Sequence, residues 1–173
     1  MLRVLLISLA LASPAAAQTN DRYEALLDAL AQSGTAGEAQ ELSGAIWQIW
    51  LTAPDAGAQA VLDAAMARRM AQDYLGAIRE LDRLVEGWPD YAEGWNQRAT
   101  MYYLIGALED SLSDVDEVLA REPRHFGALS GKAVILMAQG KVALAQLTVR
   151  EALKYHPHLN ERAILRVNPD SDL

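Results

Sequence analysis

Apolar positions along the chain form one short continuous run and then a long series of helical stripes. The run is Val4 to Ala12, carrying Leu5, Leu6, Ile7, Leu9 and Leu11. It reaches about half of the ~20 residues that a bilayer-spanning helix needs. Arg3 stands before it, Ser13-Pro14 breaks it, and Ala15-Ala16-Ala17 follows with small side chains. That order is the order of a secretory leader. The expectation is a signal peptide over residues 1–17, cleavage after Ala17, and a periplasmic or secreted mature chain. Beyond it, Tyr23, Leu26, Leu27 and Leu30 recur at helical steps and predict an amphipathic helix ending near Ala31. Ser33 to Gly37 interrupts the pattern, and a second helix is predicted from about Glu38 to Leu51. Trp47 and Trp50 share a face of that helix and are expected to cover the open side of the next unit.

From residue 58 the pattern repeats. Pro89, Pro123 and Pro157 are 34 residues apart, and so are Ala65, Ala99 and Ala133. Ala77, Ser111 and Ala145 keep the same step, as do Gly106 and Gly140. Small residues at a fixed period mark places where two helices approach too closely for a larger side chain. Proline at that period marks helix ends, because it cannot continue a helix and restricts the residue before it. Glycine between helices suits the left-handed residue of a helix C-terminus. A unit with one apolar face cannot bury it alone, so such units must stack.

This period and these positions resemble the tetratricopeptide repeat, a 34-residue helix–turn–helix unit. Counting from Ala92, Trp95, Ala99, Tyr102, Ser111 and Pro123 occupy its positions; Leu129, Ala133, Leu136, Ala145, Ala152 and Pro157 do so from Phe126. The unit from Ala58 carries Val61, Ala65, Ala77, Leu81, Leu84 and Pro89, and departs at Arg68, where a large apolar residue is expected. The strings from Glu93 to Leu104 and from Glu122 to Gly131 are similar to those of exported bacterial tetratricopeptide proteins. The resemblance implies an all-α fold, a right-handed α-solenoid of antiparallel helix pairs. Helix A of each unit is expected at about 58–71, 91–104 and 125–138, and helix B at about 75–87, 108–121 and 142–155. The three repeats then span 58–91, 92–125 and 126–157. A degenerate helix pair at 18–57 precedes them. A capping helix over 159–167, within a C-terminal segment 158–173 that ends in a loose tail, follows them.

The resemblance also implies that the A helices line a concave groove. The groove-facing positions are Leu62, Met66, Arg69 and Met70, then Glu93, Asn96, Thr100, Tyr103 and Leu104, then Ser130, Val134 and Met137. Such a surface suits an extended peptide or a partner helix. Leu62 and Met66 stand where some family members carry the Lys and Asn that clamp a C-terminal carboxylate, so binding of that kind is not expected.

Composition narrows the function. Hydrophobic residues are 51% of the 173, enough for a packed domain, and the net charge of −8 disfavours phosphate backbones and hence nucleic acid. There is no cysteine, which removes disulfides, thiolate metal sites and a cysteine nucleophile. No other apolar stretch is long enough to hold the mature chain in a membrane. His156 and His158 flank Pro157 but lack the further ligands a zinc site needs, and His125 reads as a capping or packing residue. Asp114 and Asp116 match a calcium loop only superficially and read as a solvated helix face. Gly127 to Lys132 is one residue short of a phosphate loop, and Ala133 stands where Ser or Thr is required. No cofactor, metal or catalytic signature emerges. The expected function is therefore a non-enzymatic adaptor or scaffold of the bacterial cell envelope that binds a protein or peptide. The alternatives are a regulatory subunit of an envelope enzyme complex or a self-associating structural protein, in which Trp47, Trp50, Trp88 and Trp95 contribute exposed patches.

Overall fold

The computed structural model describes residues 14–167. The leader read at residues 1–17 lies outside the described residues apart from Pro14 to Ala17, which open the first helix, and the tail 168–173 lies outside them altogether. Among the described residues, α1 (Pro14–Ala31), α2 (Ala36–Trp50), α3 (Ala56–Met70) and α4 (Tyr74–Gly87) come first. They are followed by α5 (Ala92–Leu104), α6 (Leu108–Arg121), α7 (Phe126–Ala138), α8 (Val142–Tyr155) and a 3₁₀ segment, Asn160–Arg166. The chain is all-α, and α3 to α8 form three antiparallel helix pairs stacked side by side.

Local chemistry sets the helix ends. Asp55 and Asp73 accept hydrogen bonds from the N–H groups of Ala58 and Gly76, at 2.9 Å each, and so cap α3 and α4. Thr35 caps α2 through the Glu38 N–H, while the Glu38 carboxylate returns to the Gly34 N–H. At the C-termini of α5 and α7, Gly106 and Gly140 take φ of 79° and 71°. Around Gly106 the Gly106 N–H donates to Tyr103 O and the Ala107 N–H to Tyr102 O, a paired closure that satisfies orphan carbonyls. The equivalent residue after α3 is Gln72, which makes the same turn at φ 59° with a side chain.

The periodic small residues lie where each pair is closest. Ala65, Ala77, Ala133 and Ala145 have no exposed surface. Ser111, also fully buried, donates its hydroxyl to the Ala99 carbonyl at 2.7 Å, so the serine bonds across the contact that alanine fills elsewhere. Between units, Leu62, Leu81, Leu84 and Met101 form one core cluster, and Ala99, Val115, Val118 and Ile135 belong to another. Arg68, the departure from the repeat, is accommodated at the surface: its guanidinium reaches Asp73 at 2.8 Å and Glu80 at 3.3 Å.

The acidic face of α6 is not wholly solvated. Asp114 is buried and receives two hydrogen bonds from Arg98, at 2.8 and 2.7 Å, while Arg98 also reaches Asp82 at 2.9 Å. This ties α4, α5 and α6 together. Burial raises the Asp114 carboxyl above its ordinary pKa, with Arg98 opposing, whereas the bond to Asp114 raises that of Arg98. We take the pair as charged, because a bidentate guanidinium satisfies both carboxylate oxygens. Asp116 alone of the two fits the solvated reading, and pairs with Lys132.

The α1–α2 hairpin departs from expectation. It does not cover the open side of the following unit. It packs against the start of α7 and the end of α8, spanning the loops between successive units. Leu27, Leu30, Ile46 and Trp50 cluster with Phe126, and Tyr155 and Leu159 pack at the margin. Tyr23 donates its hydroxyl to Glu122 at 2.6 Å and accepts the Trp50 indole N–H at 2.9 Å. The Tyr91 hydroxyl donates to Trp50 O, His158 Nε2 donates to Ser33 O, and Arg124 pairs with Glu24 and Asp28. The physical reason is that Trp50 finds two flat partners there: it stacks on His125 with centroids 3.8 Å apart and lies 4.8 Å from Phe126. The 3₁₀ segment packs on α8 and α7, held by Gln146, whose side-chain amide donates to the carbonyls of Ile164 and Val167.

Candidate functional site

Three helices, α3, α5 and α7, present the concave face. Between α5 and α7 this face deepens into a half-open cavity of about 350 Å³. Asn96, Thr100 and Tyr103 line it from α5, and Ser130 and Val134 line it from α7. The deeper wall includes Ala99, Val115 and Ile135. Two residues from outside the repeats also border it: Trp47 of the N-terminal hairpin and Glu161 of the 3₁₀ segment. A second cavity adjoins it and shares Trp47, Gly127, Ser130 and Glu161.

Five of the expected groove positions therefore come together. The others do not line this cavity. Leu62 is 1% exposed and belongs to the core between α3, α4 and α5, against which Ala53 and Tyr91 also pack. Met66 is half-buried against that same core. Arg69 is exposed on α3 and donates to the Gln97 side chain at 3.3 Å. Met137 is half-buried on α7 away from the lining. Of the two flanking positions, Met70 is 86% and Leu104 44% exposed.

Glu93 is the clearest correction. It is 1% exposed and held inside the protein, not offered to a ligand. Its carboxylate accepts from Asn96 at 3.0 Å, from Gln97, and from His125 at 3.1 Å. His125 is fully buried, and its Nδ1 accepts the Ala128 N–H at 3.0 Å, capping α7. That leaves the ring proton on Nε2, aimed at Glu93. Trp50 seals the pair by stacking on the imidazole. This network fixes the Asn96 amide: its nitrogen faces Glu93, so its oxygen is left to accept a hydrogen bond.

Trp47 and Glu161 escaped the repeat register because neither lies in a repeat. One signal was available. Gly127 stands at a groove-facing position inside a helix, and a Cβ there would meet the Trp47 ring at 2.7 Å. Glycine inside a helix costs stability, and a close approach is one reason to keep it. Each tryptophan is also bonded or packed within the chain, Trp47, Trp88 and Trp95 remaining half-buried. Trp88 donates to Asp55 and Trp95 to Pro89 O, and Arg98 and Arg121 each lie over the Trp95 ring at 5.0 Å.

Chemically, the cavity offers apolar carbon, three hydroxyls (Thr100, Ser111 and Ser130, the first two donating to backbone carbonyls), a phenol, one oriented amide and one carboxylate. This set holds a chain segment by contact and hydrogen bonding. His158 is engaged with Ser33, and the His156 ring packs edge-on to Phe126 at 5.1 Å, where burial lowers its pKa. Among the described residues, no group of three or more His, Cys, Asp or Glu is placed to hold a metal ion, and no helix is long and apolar enough to cross a membrane.

Comparison with known proteins agrees with the architecture. No protein-family model matches the chain. A TPR repeat-containing protein of Rhizobium etli is 44% identical over 81 residues, which are 47% of this chain and 40% of that relative. The chain thus aligns with less than half of that relative's length. The first TPR domain of Spaghetti, bound to an HSP90 peptide, superposes with a TM-score of 0.60 at 18% identity, over 63% of this chain and 90% of that one. An O-GlcNAc transferase of Thermobaculum terrenum superposes with a TM-score of 0.61 at 20% identity, over 70% of this chain and 24% of that one. The chain has the tetratricopeptide-repeat fold.

Proposed function

We propose that this chain is a non-enzymatic adaptor of the bacterial cell envelope that holds a segment of a partner protein in the cavity between α5 and α7. One observation carries the reading: Asn96, Thr100, Tyr103, Ser130 and Val134, drawn from two repeats, converge on one cavity on the concave face. Its volume lies at the small end of the ~300–1,000 Å³ range of ligand pockets, enough for one or two anchoring side chains. The concave faces of helical solenoids are commonly binding surfaces. The Spaghetti domain, similar in fold, is a peptide-bound example. The leader at residues 1–17 supports export to the envelope.

The test is affinity capture from envelope extract, comparing the exported protein with an Asn96→Ala/Tyr103→Ala variant of unchanged helicity and melting. A partner held by the first and lost by the second supports the reading. A partner held equally by both moves the site off the concave face and refutes it. Intact mass addresses export separately: protein recovered from the envelope begins at Gln18 on this reading, and a start at Met1 in the cytosolic fraction overturns it.

A further inference from the structure

We propose that the cavity selects a partner segment in which a large apolar side chain lies beside a lysine or arginine. The apolar side chain fills the space between α5 and α7, and the cation meets Glu161. The inference rests on the reading above and names the chemistry of the segment. The deep wall is mostly carbon: Ala99, Val115 and Ile135 face the space, with Val134 half-buried beside them and the Trp47 ring at one edge, and the one hydroxyl there, Ser111, already donates to Ala99 O. Only an apolar group gains by entering such a wall, because a polar one would lose its water without replacement. Backbone polar groups of the entering segment have partners nearer the rim. The Asn96 oxygen accepts, and the Ser130 and Tyr103 hydroxyls do either.

Charge sets the second requirement. Among the described residues, Glu161 is the one charged residue in the lining of this cavity, and it also borders the adjoining one. It therefore stands at the junction that a segment running through both must pass. The cations on nearby helices are directed elsewhere: Lys132 to Asp116, Arg98 to Asp82 and Asp114, and Arg69 to Gln97. Arg162 and Arg166, on the same segment as Glu161, are exposed and border a different pocket. An acidic segment would meet Glu161 with no Lys or Arg among the described residues lining either cavity to offset it, the basic side chains there being the two histidines of the second, in a chain whose net charge is already −8. A basic residue placed there is attracted both locally and by the overall field.

The test is to pan a random dodecapeptide library, displayed on phage, against the full chain. Peptides that also bind a Val134→Trp variant, in which the cavity is filled, are removed. The expected survivors carry Leu, Ile, Phe or Trp next to Lys or Arg. Glu161→Gln, a change at the rim, is expected to leave the apolar preference intact and erase the basic one. A selected peptide should bind that variant about two- to fivefold more weakly, as expected for a partly exposed ion pair. Survivors with no basic preference, or with one that Glu161→Gln leaves unchanged, overturn the proposal while leaving the cavity as a binding site. Survivors rich in Asp or Glu do the same. No peptide that distinguishes the full chain from Val134→Trp overturns the cavity reading itself. If Val134→Trp fails to fold, the Glu161→Gln comparison alone decides. A mass that doubles with concentration and reverts in Val134→Trp would put a second copy in the cavity and overturn the proposal.

Discussion

Replacing Trp50 with alanine isolates the contact that holds the N-terminal hairpin across the repeats. Trp50 is 8% exposed. Burying roughly 200 Å² of aromatic side chain, at about 25 cal/mol per Å², is worth up to about 5 kcal/mol. Tryptophan-to-alanine changes in cores cost about 3–5 kcal/mol, in agreement. The indole N–H bond to Tyr23 goes too, but Tyr23 keeps Glu122 and is not orphaned. The ion pairs of Arg124 with Glu24 and Asp28 are partly exposed and contribute about 0–1 kcal/mol each, so they cannot hold the hairpin alone. The core of α3 to α5 and the core that α5 and α6 share with Ala128 and Ile135 of α7 do not include Trp50, whose own cluster reaches only Phe126 and Tyr155 of the repeats. The expected result by hydrogen exchange is therefore local. Amides of α1 and α2 lose about two to three orders of magnitude of protection, at 1.4 kcal/mol per decade, while α4 to α6 keep theirs. Equal losses in α4 to α6 would refute the separation of the two cores. Unchanged protection in α2 would refute the docking itself.

Three further outcomes follow from individual residues. Gln72→Gly should raise stability by roughly 0.5–1 kcal/mol in urea denaturation, because it relieves a left-handed side-chain residue at the end of α3. Ala99→Leu or Ala133→Leu should lower it by about 1–3 kcal/mol through overpacking where helix pairs are closest, and an unchanged midpoint would contradict the register. His156 is buried with its pKa lowered by desolvation, so the unfolded chain binds the extra proton first. Its contribution is fully present above the unfolded value of about 6.5 and is lost as pH falls through it towards the lowered folded value. The urea midpoint should fall between about pH 7.5 and pH 5, and less steeply in His156→Gln.

The repeats were legible because their determinants are local or periodic. Pro89, Pro123 and Pro157 mark helix ends, and the paired alanines mark the closest approaches. All six repeat helices begin and end within two residues of the ranges read from the period. The hairpin was legible as two helices but not in its placement, which depends on residues about a hundred positions away, such as Glu122 and Arg124 against Tyr23 and Glu24. That placement also explains two misplaced groove residues. Glu93 occupies a groove position in the register, but His125 bonds it and Trp50 covers His125, so it becomes interior. Leu62 belongs to a core against which Ala53 and Tyr91 pack, and Tyr91 is itself bonded to the end of α2. The burial of Asp114 is not legible in sequence, because nothing near it announces Arg98 on the preceding helix, 16 positions away.

The central claim is that the cavity between α5 and α7 contacts the partner. Site-specific photocrosslinking in cells that make the protein tests it even while that partner is unidentified. A photoreactive phenylalanine analogue at Tyr103, in the cavity lining, is compared with the same group at Leu75 and Leu147, which are 61% and 59% exposed and lie outside the lining. The account predicts a discrete adduct from position 103 and none from 75 or 147. Adducts from 75 or 147 with none from 103 would contradict it.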